Sequence, residues 1–285
     1  MRIALALSGY FNNIADPNSG MNGFAYIKKI LLDKYDVDCF IHSWEPENEF
    51  LFNELYKPVY ATYESQIDFT NIMKEEGISQ DYFDEDFNRN HSPVANCRIQ
   101  STLSFLHGRK KVLNLVSLYE RKKKIQYDFV VCCRFDLGQR DKFGDWQFHV
   151  SQMNFEPEKI GYGQEKIWSA YYDQLNQGLA DQWFFMSSND ARILATVYDR
   201  ALKYFQPGSE YERTVTEGWP DSNLYNCHDP NDQRQFTNEI FLSLDKKSKN
   251  LMKYEKWNCV NNHILYKYFM IEQGYWPDKL GFTIS

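Results

Sequence analysis

The stretch Tyr127–Gly138, YDFVVCCRFDLG, decides how this chain is read. Phe129 to Cys133 is an unbroken run of β-formers without the polar alternation of a half-solvated strand. The pattern predicts a short strand buried on both faces. The run breaks abruptly into Arg134-Phe135-Asp136, which delivers a cation and a carboxylate at its carboxyl edge. In open α/β sheets, ligands bind in the crevice outside the carboxyl ends of strands. The same two residues read equally well as a surface ion pair closing a strand.

Upstream, Asn96 to Lys124 carries Ile99, Leu103, Leu106, Leu113, Val116 and Tyr119 close to a 3.6-residue period, which predicts a helix interrupted at Gly108. Its basic end, Arg121 to Lys124, suits the negative pole of a helix dipole. At the start of the chain, Arg2 to Leu7 reads as a buried strand closed by Ser8-Gly9-Tyr10. A polar loop (Asn12 to Asn22), a helix (Phe24 to Lys34) and a second strand (Val37 to His42) follow. A β-α-β opening of this kind predicts parallel strands. Pro58 to Thr62 suggests a third strand, Ile67 to Glu76 an amphipathic segment and Asp81 to Asp86 a surface turn. Beyond Asp136 the pattern is irregular through Asp145 and Trp146. Short strands are expected at Lys159 to Tyr162 and Lys166 to Trp168, then a loop from Ser169 to Leu179 and a strand at Trp183 to Met186. Ser187-Ser188-Asn189 offers N-caps for a helix from Ala191 to Tyr204. Pro207 to Asp232 reads as a long loop, Gln235 to Leu244 as a helix, and Leu251 to Ser285 as short strand-like pieces.

Composition narrows the function. With 43% hydrophobic and 25% charged residues the chain is globular rather than disordered. A net charge of −7 opposes a general nucleic-acid binder, which must neutralise phosphates. The basic clusters Arg109-Lys110-Lys111 and Arg121 to Lys124 read first as solvated helix surface and second as a peripheral contact with anionic membrane lipid. Six cysteines without a C-x-x-C pair, several inside apolar runs, suit free thiols in a reducing compartment. The opening apolar run, Ile3 to Leu7, is too short for a signal-peptide core, so a cytoplasmic protein is expected. Aromatic residues make up 17%, enough to build the core and to stack on sugar rings or bases as well.

The chain carries no P-loop, no G-x-G-x-x-G after its first strand, no G-x-S-x-G and no H-E-x-x-H. What remains is a set of polar residues at strand ends: Ser8-Gly9, His42 to Trp44, Arg134 to Asp136, and Asp181-Gln182 before the Trp183 strand. Converging on one rim, they would make a site for a phosphorylated ligand. Arg134 could fork onto a phosphate, Asp136 could ligate a hard cation, and Asp181 could take a proton from a hydroxyl nucleophile. His42 also reads as a buried, satisfied histidine, Asp181 as a turn cap and Glu239 as a solvated helix residue.

Five blocks in order, IALALSG, VDCFIHSW, YDFVVCCRFDL, ADQWFFMSS and TNEIFLSL, resemble the WavE-like bacterial and viral glycosyltransferases of lipopolysaccharide and capsule synthesis, which have the GT-A fold. The resemblance covers most of residues 1 to 245. It implies a single α/β domain over 1–285 with a GT-A-like, Rossmann-related sheet, mixed but mostly parallel and flanked by helices. Residues 1–140 would be the nucleotide-binding part and 141–285 the acceptor-side part. It further implies transfer of a sugar from a nucleotide-diphosphate donor to a hydroxyl of a surface-glycan acceptor; the second reading of the basic clusters would place the cytoplasmic protein at the inner face of a membrane. Ser8, Gly9 and Tyr10 would sit by the nucleotide, with Arg134 and Gln182 also on the donor. Asp136 would hold a divalent metal, Mn or Mg, and Asp181 and Glu239 would be the catalytic carboxylates. The chain departs from the Asp-x-Asp metal motif of that fold, because Arg134 stands where the first acid belongs. Two other readings stay open: a sugar-phosphate nucleotidyltransferase, opposed by the lack of Lys or Arg in the loop Ser8 to Asn22, and a non-catalytic glycan-binding protein.

Overall fold

Strands β1 (Arg2–Gly9) and β4 (Phe129–Cys133) lie side by side in the middle of the sheet, paired in parallel from Ile3↔Phe129 to Leu7↔Cys133. A computed structural model of the chain describes residues 1–12, 16–85, 98–138, 152–153, 155, 157, 165–172, 178–218, 255–275 and 279–283. After β1 come helix α1 (Ser19–Ile27), prolonged by a π-turn at Lys28–Leu32, strand β2 (Asp36–Ser43), helix α2 (Glu49–Tyr56) and strand β3 (Tyr60–Tyr63). Two short helices, α3 (Thr70–Glu75) and α4 (Gln80–Phe83), precede the long α5 (Ile99–Lys123), which feeds β4. Beyond β4 come β5 (Ile167–Tyr172), β6 (Gly178–Leu179) and β7 (Trp183–Met186), then α6 (Ser188–Leu194), α7 (Val197–Tyr204) and α8 (Glu210–Glu217). Helix α9 (Asn262–Glu272) and strand β8 (Leu280–Thr283) follow.

The sheet order is β3-β2-β1-β4-β7-β5-β6, with β8 paired to β5. Strands β1, β2, β3 and β4 are mutually parallel, β7 runs antiparallel to β4 and β5, and β8 is parallel to β5. The architecture is therefore α/β, with a mixed, mostly parallel open sheet between helices. Period-two alternation sends Ala4, Ala6, Phe40, Val130, Cys132 and Phe184 into one core with Leu103, Leu106, Leu113 and Val116 of α5. It sends Ile3, Leu5, Leu7, Ile41, Phe129 and Val131 into the other, with Ile27, Leu31, Phe52 and Tyr56 from α1, its π-turn and α2. Every residue of β4 is buried, as its unbroken apolar run predicts.

Several local expectations need correction. The helix expected from Ala191 to Tyr204 is two helices, and at the break the Thr196 hydroxyl donates to the Ile193 carbonyl (2.8 Å). The long loop from Pro207 contains α8, opened by Ser209, whose side chain accepts from the Glu212 amide, while Glu212 accepts from the Gly208 amide. This is a capping arrangement written in the sequence as Ser-x-x-Glu. The tail expected as strand-like pieces holds α9, capped by Asn261, which accepts from the His263 amide. The loop expected from Ser169 is strand as far as Tyr172. Gly108 does not interrupt α5: a Cβ there would lie 3.1 Å from Nδ1 of His42, so the missing side chain lets the helix close onto β2. The expected elements at 159–162 and 235–244, and residues 145 and 146, lie outside the described residues.

Gly23 ties this framework to the opening stretch. A Cβ at Gly23 of α1 would overlap the carbonyl oxygen of Phe135 and approach Cα of Asp136 to 3.0 Å. Gly23→Ala gains roughly 1 kcal/mol of helix propensity but must push α1 off a backbone, an overpacking that costs about 1–3 kcal/mol. Urea unfolding should show net destabilisation. An unchanged or higher midpoint would mean that α1 does not bear on Phe135.

Candidate functional site

The strand registers assemble the site. Ser8 stands opposite His42, and His42 opposite Thr62. One step beyond the Leu7↔Cys133 pair, Ser8 comes beside Arg134, whose amide donates to the Gln182 carbonyl (3.2 Å). Thr62, His42, Ser8, Arg134 and Gln182 thus form one row across the carboxyl edge of the parallel strands. The polar strand ends picked out in the sequence meet there. The row crosses the gap between β1 and β4, where the strand order reverses: the chain runs outward from β1 to β2 and β3, then returns through α5 to β4 on the other side of β1. That point in an open α/β sheet is where ligands bind.

A cavity of about 680 Å³ opens over this row. Ser8, Gly9, Tyr10 and Asn12 line it from the end of β1, Trp44 and Gln66 from beyond β2 and β3, and Arg134 and Asp136 from beyond β4. Its other wall is the start of α5, where Gln100, Ser101, Ser104 and Phe105 share one helical face. Because α5 leads back into the amino end of β4, its own amino end must overlie the carboxyl edge. The positive pole of a long helix therefore faces the cavity. Gly9 has φ +112°, a backbone shape that suits glycine and brings bare main chain to the wall. Tyr10 is half-exposed, and its hydroxyl donates to Gln66 Oε1 (2.9 Å), while Gln66 Nε2 donates to the Ser104 hydroxyl (2.9 Å).

Arg134 and Asp136 meet in a two-pronged pair, Nε to Oδ1 at 2.8 Å and Nη2 to Oδ2 at 2.5 Å. The surface ion pair and the cavity-facing edge are therefore both present, in the same two side chains. Asp136 raises the pKa of the guanidinium. Both Asp136 oxygens accept from Arg134, and among the described residues no three His, Cys, Asp or Glu side chains gather into a metal-binding cluster. Asp136 is the one carboxylate that the described residues bring to the cavity wall, and Arg134 takes both of its oxygens.

Asp181 and Gln182 sit beside Arg134 at the start of β7 but do not line the cavity. The Asp181 carboxylate accepts from the Asn262 amide (3.0 Å). Burial pushes its pKa up, but the charges of His263, Arg109 and Arg134, with that hydrogen bond, bring it below the usual carboxylate range. Arg109 is not solvated surface, contrary to the expectation for its basic cluster. It is buried against Phe105, Phe184 and Tyr266, donating to the Tyr266 hydroxyl (3.1 Å) and the Asp181 carbonyl. Arg121 to Lys124 are exposed, as expected. Glu239 and the block around it lie outside the described residues.

Behind Trp44 lies a cluster not foreseen from the sequence. His42 is fully buried, with Nε2 2.9 Å from Glu64, and Nδ1 finds no partner among the described residues. Glu64 also lies 3.8 Å from His107 and 3.6 Å from Lys111. His107 stacks on Trp44. The polar face of α5 and the pairing of Glu64 with His42 depend on tertiary register, which local sequence does not carry. Among the described residues the cysteines Cys39, Cys132, Cys133 and Cys259 are free and buried, and burial raises their pKa values, Cys39 and Cys259 to about 12. No described helix is long and apolar enough to cross a membrane. Compared with family models, curated proteins and solved structures, the chain finds no match.

Burial, aided by the charge of Lys111, lowers the His107 pKa from 6.5 to about 4. The unfolded chain then takes up this proton near pH 6.5 while the folded one refuses it. The contribution is complete above pH 6.5 and is lost as pH falls towards 4, amounting to about 2 kcal/mol by pH 5. Between pH 7.5 and 5, the wild-type protein should lose more urea stability than His107→Phe, which retains an aromatic ring. Equal losses would show that His107 is not the titrating group.

Proposed function

We propose that the protein is a glycosyltransferase of the GT-A type, moving a sugar from a nucleotide-diphosphate donor to a hydroxyl of a glycan acceptor of the lipopolysaccharide or capsule kind. The observation that carries this reading is the cavity at the β1–β4 switch point, with Arg134 and the first turns of α5 on its walls. Its volume suits a nucleotide-sized ligand. Ser8, the Gly9 backbone and Tyr10 offer hydrogen bonds and a ring face to the nucleoside end. Arg134 offers a guanidinium to the diphosphate. As the acceptor oxygen bonds to the anomeric carbon, the bond to the diphosphate breaks and the leaving group keeps the electron pair. A fixed cation at that point stabilises the charge as it develops.

Asp181 takes a different role from the base suggested by its sequence position. A carboxylate with a lowered pKa is a weak proton acceptor. Its closeness to Arg134 suits electrostatic positioning of the guanidinium instead. The resemblance offers Glu239 as the remaining carboxylate for the acceptor proton.

The Arg134–Asp136 pairing favours one second reading, a non-catalytic glycan-binding protein, because a closed ion pair leaves the described wall without net charge. A thermal-shift panel of UDP, GDP, CDP and their sugars separates the two. A nucleotide diphosphate at a hundredfold excess over its Kd should stabilise the fold by about 2.7 kcal/mol, a rise of several degrees. Arg134→Gln should abolish that rise. Stabilisation by free sugars with none from any nucleotide would favour glycan binding and overturn the transferase.

A further inference from the structure

Among the described residues, Arg134 and Asp136 are the charged side chains on the cavity wall, and each is occupied by the other. A guanidinium presents the same fork of parallel N–H groups to a carboxylate and to a phosphate. Asp136 fills the Nε–Nη2 edge of Arg134, one of the two edges on which a guanidinium takes a phosphate. The backbone around the pair is held on both sides. The Arg134 amide is bonded to Gln182, Gly23 abuts Phe135 and Asp136, and the Phe135 and Leu137 side chains are buried. Breaking the pair therefore requires side-chain rotation alone. Arg134 is the freer partner, with its side chain 37% exposed against 14% for Asp136.

We propose that Asp136 is an internal stand-in for the ligand's phosphate. An incoming phosphate or diphosphate group exchanges with Asp136 on the guanidinium, and the carboxylate sets the affinity the ligand must exceed. The proposal rests on the reading of this cavity as a nucleotide-diphosphate site. It assigns Asp136 a role opposite in sign to that of a metal ligand. Removing a competing carboxylate strengthens anion binding without metal, whereas removing a metal ligand weakens binding when metal is present. A phosphate wins the exchange through its higher charge and through the amino end of α5 across the cavity.

Titration calorimetry with inorganic pyrophosphate and with UDP, GDP and CDP, in EDTA and low salt, tests this directly. Asp136→Asn keeps the shape and removes the charge. It should bind pyrophosphate about three- to tenfold more tightly than wild type, the size of a partly exposed, two-pronged ion pair. Asp136→Ser should show the same direction should the amide variant fold poorly, and Arg134→Gln should bind none of the probes. Binding by wild type that either variant at 136 leaves unchanged or weakens overturns the internal stand-in alone. So does a loss at 136 that appears only with added manganese, which would make Asp136 a metal ligand. Failure of wild type and the variants at 136 to bind any probe overturns the nucleotide reading together with the proposal.

Discussion

The in-register pairing of β1 with β4 is the constraint on which the site depends. Side chains alternate along a strand, so a one-residue slip would turn Ser8 and Arg134 to opposite faces of the sheet and close the row they share with His42. Burial enforces the register. All five residues of β4 are enclosed, with Val130 and Cys132 against α5 and Phe129, Val131 and Cys133 on the opposite side. The antiparallel β7 holds the far edge, and Glu120 near the end of α5 accepts the Tyr127 amide (3.2 Å) just before the strand begins. A stretch this tightly held can present two charged groups at its end in one geometry.

Electrostatics at the rim are balanced rather than strongly positive. Arg134 lies between Asp136, to which it is bonded, and Asp181, whose charge it feels. Asp181 is in turn surrounded by Arg109, His263 and Asn262. Burying a lone charge costs several kcal/mol, and such clusters offset that cost by pairing and hydrogen bonding. A ligand bringing its own negative charge can rearrange such a rim, because the guanidinium then exchanges one anionic partner for another. The Glu64 cluster behind Trp44 has the same character: a carboxylate with two imidazoles and an ammonium nearby, next to the cavity but not on its wall.

The central sheet was legible in the sequence because its signals are local. Apolar runs bounded by glycine and polar residues gave β1, β2, β4 and β7 to within one or two positions. The polar residues at their ends were legible for the same reason, since a buried strand that stops at Ser8, His42 or Arg134 marks its own edge. The helical wall was not. Gln100, Ser101 and Ser104 are ordinary polar residues of a helix, and only the direction of α5 relative to β4 turns them towards the cavity. Arg109 was misread because neighbouring lysines made it look like surface, whereas its side chain points inward to Tyr266. The Arg134–Asp136 bond is local in sequence, yet its meaning depends on the cavity that both residues line.

Amide hydrogen exchange read by mass spectrometry locates a bound nucleotide on the fold. Exchange would be followed with and without a saturating nucleoside diphosphate, the best of UDP, GDP and CDP. Slower exchange is expected together in peptides covering 3–12, 99–106 and 129–138, with α8 unaffected. Protection confined to other regions, or none with any of the three, would contradict a nucleotide site at the junction of β1, β4 and α5.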